Sequence, residues 1–380
     1  MSLGEEDVVS EEALRAESAE KQARLEKFLD ERKLSGVLLR RSENIAWATG
    51  GRVEARVLIP SETWVTSVLL TRDGRKYYFA PKNEGPRLGA EEFPGLGYEP
   101  VLFPWYADDT VAAARKIVGP GEVGADAATP GLAPVHLGTL RASLTAAELD
   151  RYRWLGQKTA EVTSSVLRRL EPGVSEYEME ALVSGGLLVE GILPSVLLMA
   201  VDDRILNYKH AVARGRRLER YGMLNLCSRK WGLAISITRF VHFGEVPPEL
   251  ADRFASAARV NAALLDASRV GTTSAELFKT VQRAYAAEGF PGEEEFHHQG
   301  GPTGYGEREW LATPSGGEVV VDNQAFAWNP SIRGGKVEDT VVLRGGVIES
   351  LTGTPDLPVV ETELNGVVYR SAGVLVQDAG

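Results

Sequence analysis

Residues 224–244 read LNLCSRKWGLAISITRFVHFG, and the spacing of apolar residues in and around this stretch decides the class of fold. Two runs, 223–227 and 233–241, are short and mainly apolar, the second with several β-branched residues, which predicts strands. Upstream, capping boxes open two helices: Thr145/Glu148 before LDRYRWLGQKTAEVTSSVLRRL, and Ser175/Glu178 before MEALVSGGLLVEG. Downstream, a helix is expected over 248–268 and another after the box Thr273/Glu276, followed by strands at 325–329 and 340–344. Pro172-Gly173 ends the first of these helices, and Gly289 and Pro291 end the last. Two helices then strands, repeated once, predict a pseudo-symmetric α+β domain over 144–380.

The preceding part follows another rhythm. A helix is expected over 11–34, then a buried strand at 37–39 and a Gly50-Gly51 stop. Strands at 64–71 and 76–80 flank the turn Arg72-Asp73-Gly74-Arg75, and a helix at 111–118 precedes a strand at 121–125. This alternation predicts a smaller α/β domain over 11–143. Residues 1–10 are expected to form a disordered, tag-like tail.

The whole sequence bounds the function. Its 380 residues suffice for two domains, each with its own core. With 42 Lys+Arg against 53 Asp+Glu, the net charge of −11 argues against nucleic acid as the main partner. One cysteine, Cys227, excludes a disulfide scaffold and points to a reducing compartment, so a cytoplasmic location is expected. The acidic N-terminus lacks the apolar core of a signal peptide. Glu190 and Pro194 interrupt the most apolar stretch, 185–201, so no membrane association is expected.

Four segments carry a resemblance: NYKHAV (207–212), residues 224–244, FHHQGGPTGYGEREW (296–310) and AWNPSIRGGKVEDTVVL (327–343). In this order and at these spacings they resemble the pita-bread fold of the creatinase, prolidase and methionine-aminopeptidase family. EKFLDERKLSGVLLRRSENIAWATGG resembles the opening of that family's N-terminal domain.

The resemblance implies five metal ligands in the peptidase members: two Asp, one His and two Glu. Asn225 stands at the first Asp position, and Ser236, in SITR, at the second. The ligand His belongs to a Gly-His-Gly-x-Gly turn; here GGPTG puts Gly301 at that place. Asn329-Pro330 replaces a Glu-Pro pair, and only Glu338 keeps its carboxylate. Two divalent ions about 3.5–4 Å apart need several anionic oxygens to offset their repulsion. Neutral Asn and Ser side chains do not supply them. His297, His298, Glu309 and Glu338 are what remains for a single-metal site, and adjacent histidines tend to point apart. Neither metal nor cofactor is therefore expected.

Creatinase hydrolyses a C–N bond on this fold without metal. The resemblance implies a His at the place of His210 that activates water and then protonates the leaving nitrogen, and a carboxylate at the place of Glu338. Where creatinase grips a guanidinium with a further Glu, this chain has Thr238. A neutral imidazole, with pKa near 6.5, suits such proton transfer, and Glu338 or Glu309 would orient it. The plain alternative is a histidine bonded to a backbone carbonyl. Arg308 suits a substrate carboxylate through its planar fork, or a surface ion pair. GGPTG offers flexible backbone N–H groups to receive an oxyanion, or is an ordinary tight turn. One of His297 and His298 is expected to line the pocket. The resemblance also implies a homodimer in which Arg52 and Arg56 reach the other subunit's pocket. Trp328 would fill space beside a lost ligand, and Cys227 would serve packing.

These residues lead to a metal-independent hydrolase of a small amide or amidine-type C–N bond, with His210 as general acid/base and Glu338 as its partner or a substrate anchor. A second reading is a non-catalytic module binding a peptide or protein in the old cleft. A third, following the family alone, is an Xaa-Pro dipeptidase or aminopeptidase.

Overall fold

The computed structural model describes residues 8–59 and 61–378; most of the expected tail over 1–10 lies outside them. The chain divides into two compact units. The first runs to Arg151 and takes in the turn Trp231–Leu233; the second comprises Tyr152–Lys230 and the residues from Ala234 on.

In the first unit, α1 (Glu11–Arg32) leads into β1 (Gly36–Arg41) and α2 (Ser42–Ala48). There follow β2 (Thr63–Thr71), β3 (Lys76–Pro81), β4 (Tyr98–Phe103), α3 (Thr110–Val118), β5 (Val123–Ala125) and β6 (Ala133–Pro134). The six strands form one mixed sheet in the order β4-β3-β2-β1-β5-β6. Val37, Leu38 and Leu39 are consecutive and all fully buried because both faces of the sheet are covered. Val37 and Leu39 pack with Leu25, Phe28 and Leu29 of α1, whereas Leu38 packs with Ala114 of α3.

This unit also buries a balanced set of charges. The Lys21 ammonium reaches Glu17 Oε1 at 2.6 Å and Glu148 Oε1 at 2.7 Å, and donates to the Trp47 carbonyl at 2.9 Å. Both terminal nitrogens of Arg151 donate to Glu17, at 3.0 and 2.6 Å. Glu148 is also the return arm of the expected capping box, accepting the Thr145 N–H at 2.7 Å. That cap opens α4 (Ala146–Arg168), and the division between the units falls inside this helix, a little beyond the boundary expected at 143/144.

The second unit has the doubled pattern. After α4 and α5 (Glu176–Val189) come β7 (Leu193–Val201), β8 (Tyr221–Lys230) and β9 (Leu233–Phe243). After α6 (Pro248–Ala267) and α7 (Ser274–Ala287) come β10 (Gly300–Thr303), β11 (Gln324–Trp328), β12 (Ser331–Ile332), β13 (Gly335–Lys336), β14 (Asp339–Arg344) and β15 (Val347–Ser350). A hairpin of β16 (Val359–Leu364) and β17 (Val367–Ala372) precedes β18 (Val374–Gln377), which adds in parallel to β9. Two four-stranded sheets result, β18-β9-β8-β7 and β10-β11-β14-β15. The boxes at Ser175/Glu178 and Thr273/Glu276 both form. The core centres on α6 and the second sheet: Phe254, Leu264, Phe326, Trp328 and Val341 are among its members.

The structure corrects one local expectation. GGPTG is not a tight turn: Gly300–Thr303 is the buried edge strand β10, in antiparallel register with β11, Gly301 opposite Ala327. Pro302 is tolerated because an edge strand needs no ladder N–H on its open side. Among the described residues no helix is long and apolar enough to cross a membrane.

A candidate active site with internal cations

The site is built from both sheets and two connections of the second unit. His210 lies between a short helix, Asp203–Asn207, and β8. That segment is tied down by buried Glu176, which accepts from Arg204 Nε at 2.7 Å and the Arg214 N–H at 2.6 Å. Next to His210, Lys209 donates to Glu293 at 2.6 Å and to the Ser331 carbonyl at 2.9 Å. Glu293 opens the 3₁₀ turn Glu293–Phe296, and the residue after that turn is His297. One ion pair thus carries His210 to His297.

The two imidazoles meet with Nε2 atoms 2.8 Å apart and ring planes at 83°. His298 joins them, its ring 4.4 Å from that of His297 and 6.1 Å from that of His210. Sequence reasoning expected the adjacent pair to diverge; instead both rings face His210. His297 is itself extended, with φ −163° and ψ 144°, and follows directly on the 3₁₀ turn. His210 and His298 are exposed and His297 is half-buried. Desolvation in the cleft lowers the basicity of all three. The Lys336 charge adds to this at His210, with Glu338 opposing. His297 falls to about 2 through burial, Lys336 and the neighbouring rings, and His298 to about 4 through burial and Arg308.

Glu338 is 3% exposed and fully engaged. Its Oε1 accepts from Arg308 Nη2 at 3.0 Å; its Oε2 accepts from Lys336 at 2.9 Å, Asn225 Nδ2 at 2.7 Å and Thr238 Oγ1 at 2.7 Å. Burial alone would push this carboxyl up, but the Lys336 and Arg308 charges outweigh it and hold the group near 2. Among the described residues no hydrogen bond joins Glu338 to His210. Arg308, expected to receive a substrate carboxylate, holds this internal one, and its Nη1 donates to Ser236 Oγ at 2.9 Å. Glu309 accepts the Gly306 N–H at 3.0 Å. Arg239, buried beside Thr238, pairs with Asp339 at 2.6 Å. Trp328 is core, donating to Ser268 Oγ at 3.0 Å, and Cys227 is buried with its thiol pushed up to about 11.

Lys336 is the participant that sequence reasoning missed. It stands two residues before Glu338, the spacing that puts side chains on one face of an extended chain. Arg52 and Arg56 belong to the first unit. Arg52 lines a cavity of about 890 Å³ there, with Arg15, Leu14 and Trp231 among its other walls; neither His210 nor Glu338 contributes to it.

The residues do not fit a metal pair. At the second Asp position, Ser236 Oγ is committed to Arg308, and at the first, the Asn225 amide turns its N–H toward Glu338 rather than an oxygen. At the His position, a Cβ built on Gly301 would stand 2.2 Å from the Trp310 carbonyl oxygen. Asn329 is buried with Oδ1 unpartnered among the described residues. The Glu338 carboxylate is paired with an arginine and a lysine of the chain itself.

Solved structures share this architecture. A dipeptidase PepE from Mycobacterium ulcerans is 20% identical, with 90% of this chain and 96% of that one covered at a TM-score of 0.74. An Xaa-Pro dipeptidase from Bacillus anthracis is 18% identical, over 95% and 100% of the two chains, at 0.73. The N-terminal domain of FACT complex subunit SPT16 from chickpea, Cicer arietinum, is 12% identical, over 88% and 96%, at 0.61. No curated protein matches the sequence. The family model for metallopeptidase family M24 matches residues 150–345, more than half of the sequence. On that match the chain belongs to metallopeptidase family M24.

Proposed function

We propose that this chain is a metal-independent hydrolase of a C–N bond in a small amide or amidine-type substrate, with His210 as general acid/base. The observation that carries the reading is the substitution of Arg308 and Lys336 for a metal pair around Glu338, next to an accessible histidine pair. Of the two rings, His210 is the more basic, because His297 is held far lower. Contact at the two Nε2 atoms lets His297 orient the His210 ring. In the reaction His210 takes a proton from water as its oxygen attacks the substrate carbon. The C–N bond then breaks, and His210 returns the proton to the leaving nitrogen.

Two cations against one carboxylate leave the pocket with one net positive charge. This supports a neutral or anionic substrate over a guanidinium. A second reading, a non-catalytic binding module, is favoured by one observation: His210 has another imidazole, not a carboxylate, as its partner. The family match also supports an Xaa-Pro dipeptidase or aminopeptidase reading, which would need a metal pair where Arg308 and Lys336 hold Glu338.

The test is a screen of small amides and amidines with chelator-treated protein. Turnover that survives chelation and falls about 10²–10⁴-fold in His210→Ala supports the proposal. Unchanged turnover in that variant, or hydrolysis of Xaa-Pro dipeptides only after adding metal, overturns it.

A further inference from the structure

The three clustered imidazoles, which the hydrolysis proposed above uses metal-free, have a second use that takes His210 out of proton transfer when a metal is bound. We infer that His210, His297 and His298 form a mononuclear site for a borderline transition-metal dication of the Zn²⁺ class, separate from the positions of the family's metal pair.

One ring nitrogen of each residue lies within 4.8 Å of the others. A tetrahedral ion with bonds of about 2.0–2.1 Å holds its ligand nitrogens roughly 3.3 Å apart. The His210–His297 contact, at 2.8 Å, needs to open by about half an ångström, and the exposed His298 ring has to close in. Three imidazoles with a fourth position open to solvent suit Zn²⁺, Ni²⁺ or Cu²⁺; hard ions such as Mg²⁺ prefer oxygen.

Apart from the His210–His297 contact, the rings of the cluster are weakly held. His297 Nδ1 is buried without a hydrogen-bond partner among the described residues, and the ring is held only through its Nε2 contact with His210. His298 Nδ1 accepts the Gly300 N–H at a long 3.2 Å. His242 shows the contrast: it is buried, and its Nδ1 is tied to the Gly244 carbonyl at 3.0 Å.

The surrounding charges set the affinity and the fourth ligand. Lys336 and Arg308 repel a dication, Glu338 attracts one, and Lys209 is neutralised by Glu293. One net positive charge remains, which favours an anionic fourth ligand such as chloride or hydroxide.

Calorimetry with Zn²⁺ on chelator-stripped full-length protein tests the site, with Mg²⁺ as the hard-ion control. One Zn²⁺ per chain is expected. His297→Ala and His298→Ala should each weaken binding by at least about tenfold, a loss that even outer-shell changes produce. His136→Ala should leave it unchanged. Cu²⁺ in place of Zn²⁺ should show splitting by several nitrogens in its electron paramagnetic resonance spectrum. No binding, two ions per chain, or unaltered affinity in both cluster variants would overturn the inference. Binding is read without turnover, so its failure and that of the hydrolase proposal are separable.

Discussion

Replacing Glu338 with Gln leaves Arg308 and Lys336, whose side chains are 14% and 9% exposed, beside an amide instead of their shared counter-charge. The structure sets the magnitude. The carboxyl lies at about 2 against an ordinary 4.5, and that difference of roughly 2.5 units corresponds to about 3 kcal/mol. Breaking a buried pair by removing one partner costs about 3–5 kcal/mol, which agrees. Because the folded value is depressed, the contribution is complete above the unfolded value near 4.5 and fades as pH falls through 2. At pH 3 roughly half should remain. In a unit of this size about 3 kcal/mol corresponds to a fall in Tm of roughly 6–12 °C. Thermal melts followed by circular dichroism at pH 7 and pH 3 check both parts. The gap between wild type and Glu338→Gln should be large at pH 7 and clearly smaller at pH 3. Adding Lys336→Met to Glu338→Gln should recover part of the loss. A gap under about 2 °C at pH 7, or one that ignores pH, would refute the charge-clamp reasoning.

Three further outcomes are expected. Gly301→His restores a family ligand on paper, but its Cβ would strike the Trp310 carbonyl oxygen; melts should show destabilisation of at least about 1–3 kcal/mol, and metal analysis no bound Mn²⁺. Cys227, buried with its thiol pushed up to about 11, should stay unreactive toward a thiol reagent at pH 8 and react fully once urea unfolds the chain; rapid labelling of the native protein would contradict its packing. Lys21→Met should cost about 3–5 kcal/mol, read from the urea midpoint, because it leaves two buried carboxylates, Glu17 and Glu148, with the Arg151 charge alone against them.

What the sequence revealed was local, and what it concealed was assembled from distant parts. The capping boxes at Thr145, Ser175 and Thr273 were legible because both partners lie within one helical turn. Strand β10 was misleading because glycine and proline signal turns, and only its edge position in the sheet explains their presence. The strands after Arg344 carry mixed polar and apolar residues at exposed positions, so alternation there is weak. In the site, individual positions such as His210, Glu338 and Gly301 were readable by resemblance. The clamp was not, because Arg308 comes from a separate segment and meets Lys336 and Glu338 only after the chain has folded. The histidine cluster was hidden for the same reason: it depends on Lys209 reaching Glu293.

A metal pair is taken up from the surroundings, and its occupancy drops when they run short. The two cations on Glu338 arrive with the polypeptide, at an effective concentration fixed by covalent attachment. No chelator can strip them and no delivery step is needed to install them. Formation of this clamp should therefore be the same in metal-rich and metal-starved conditions. Its cleft is paired with Glu338 from the moment the sheets close.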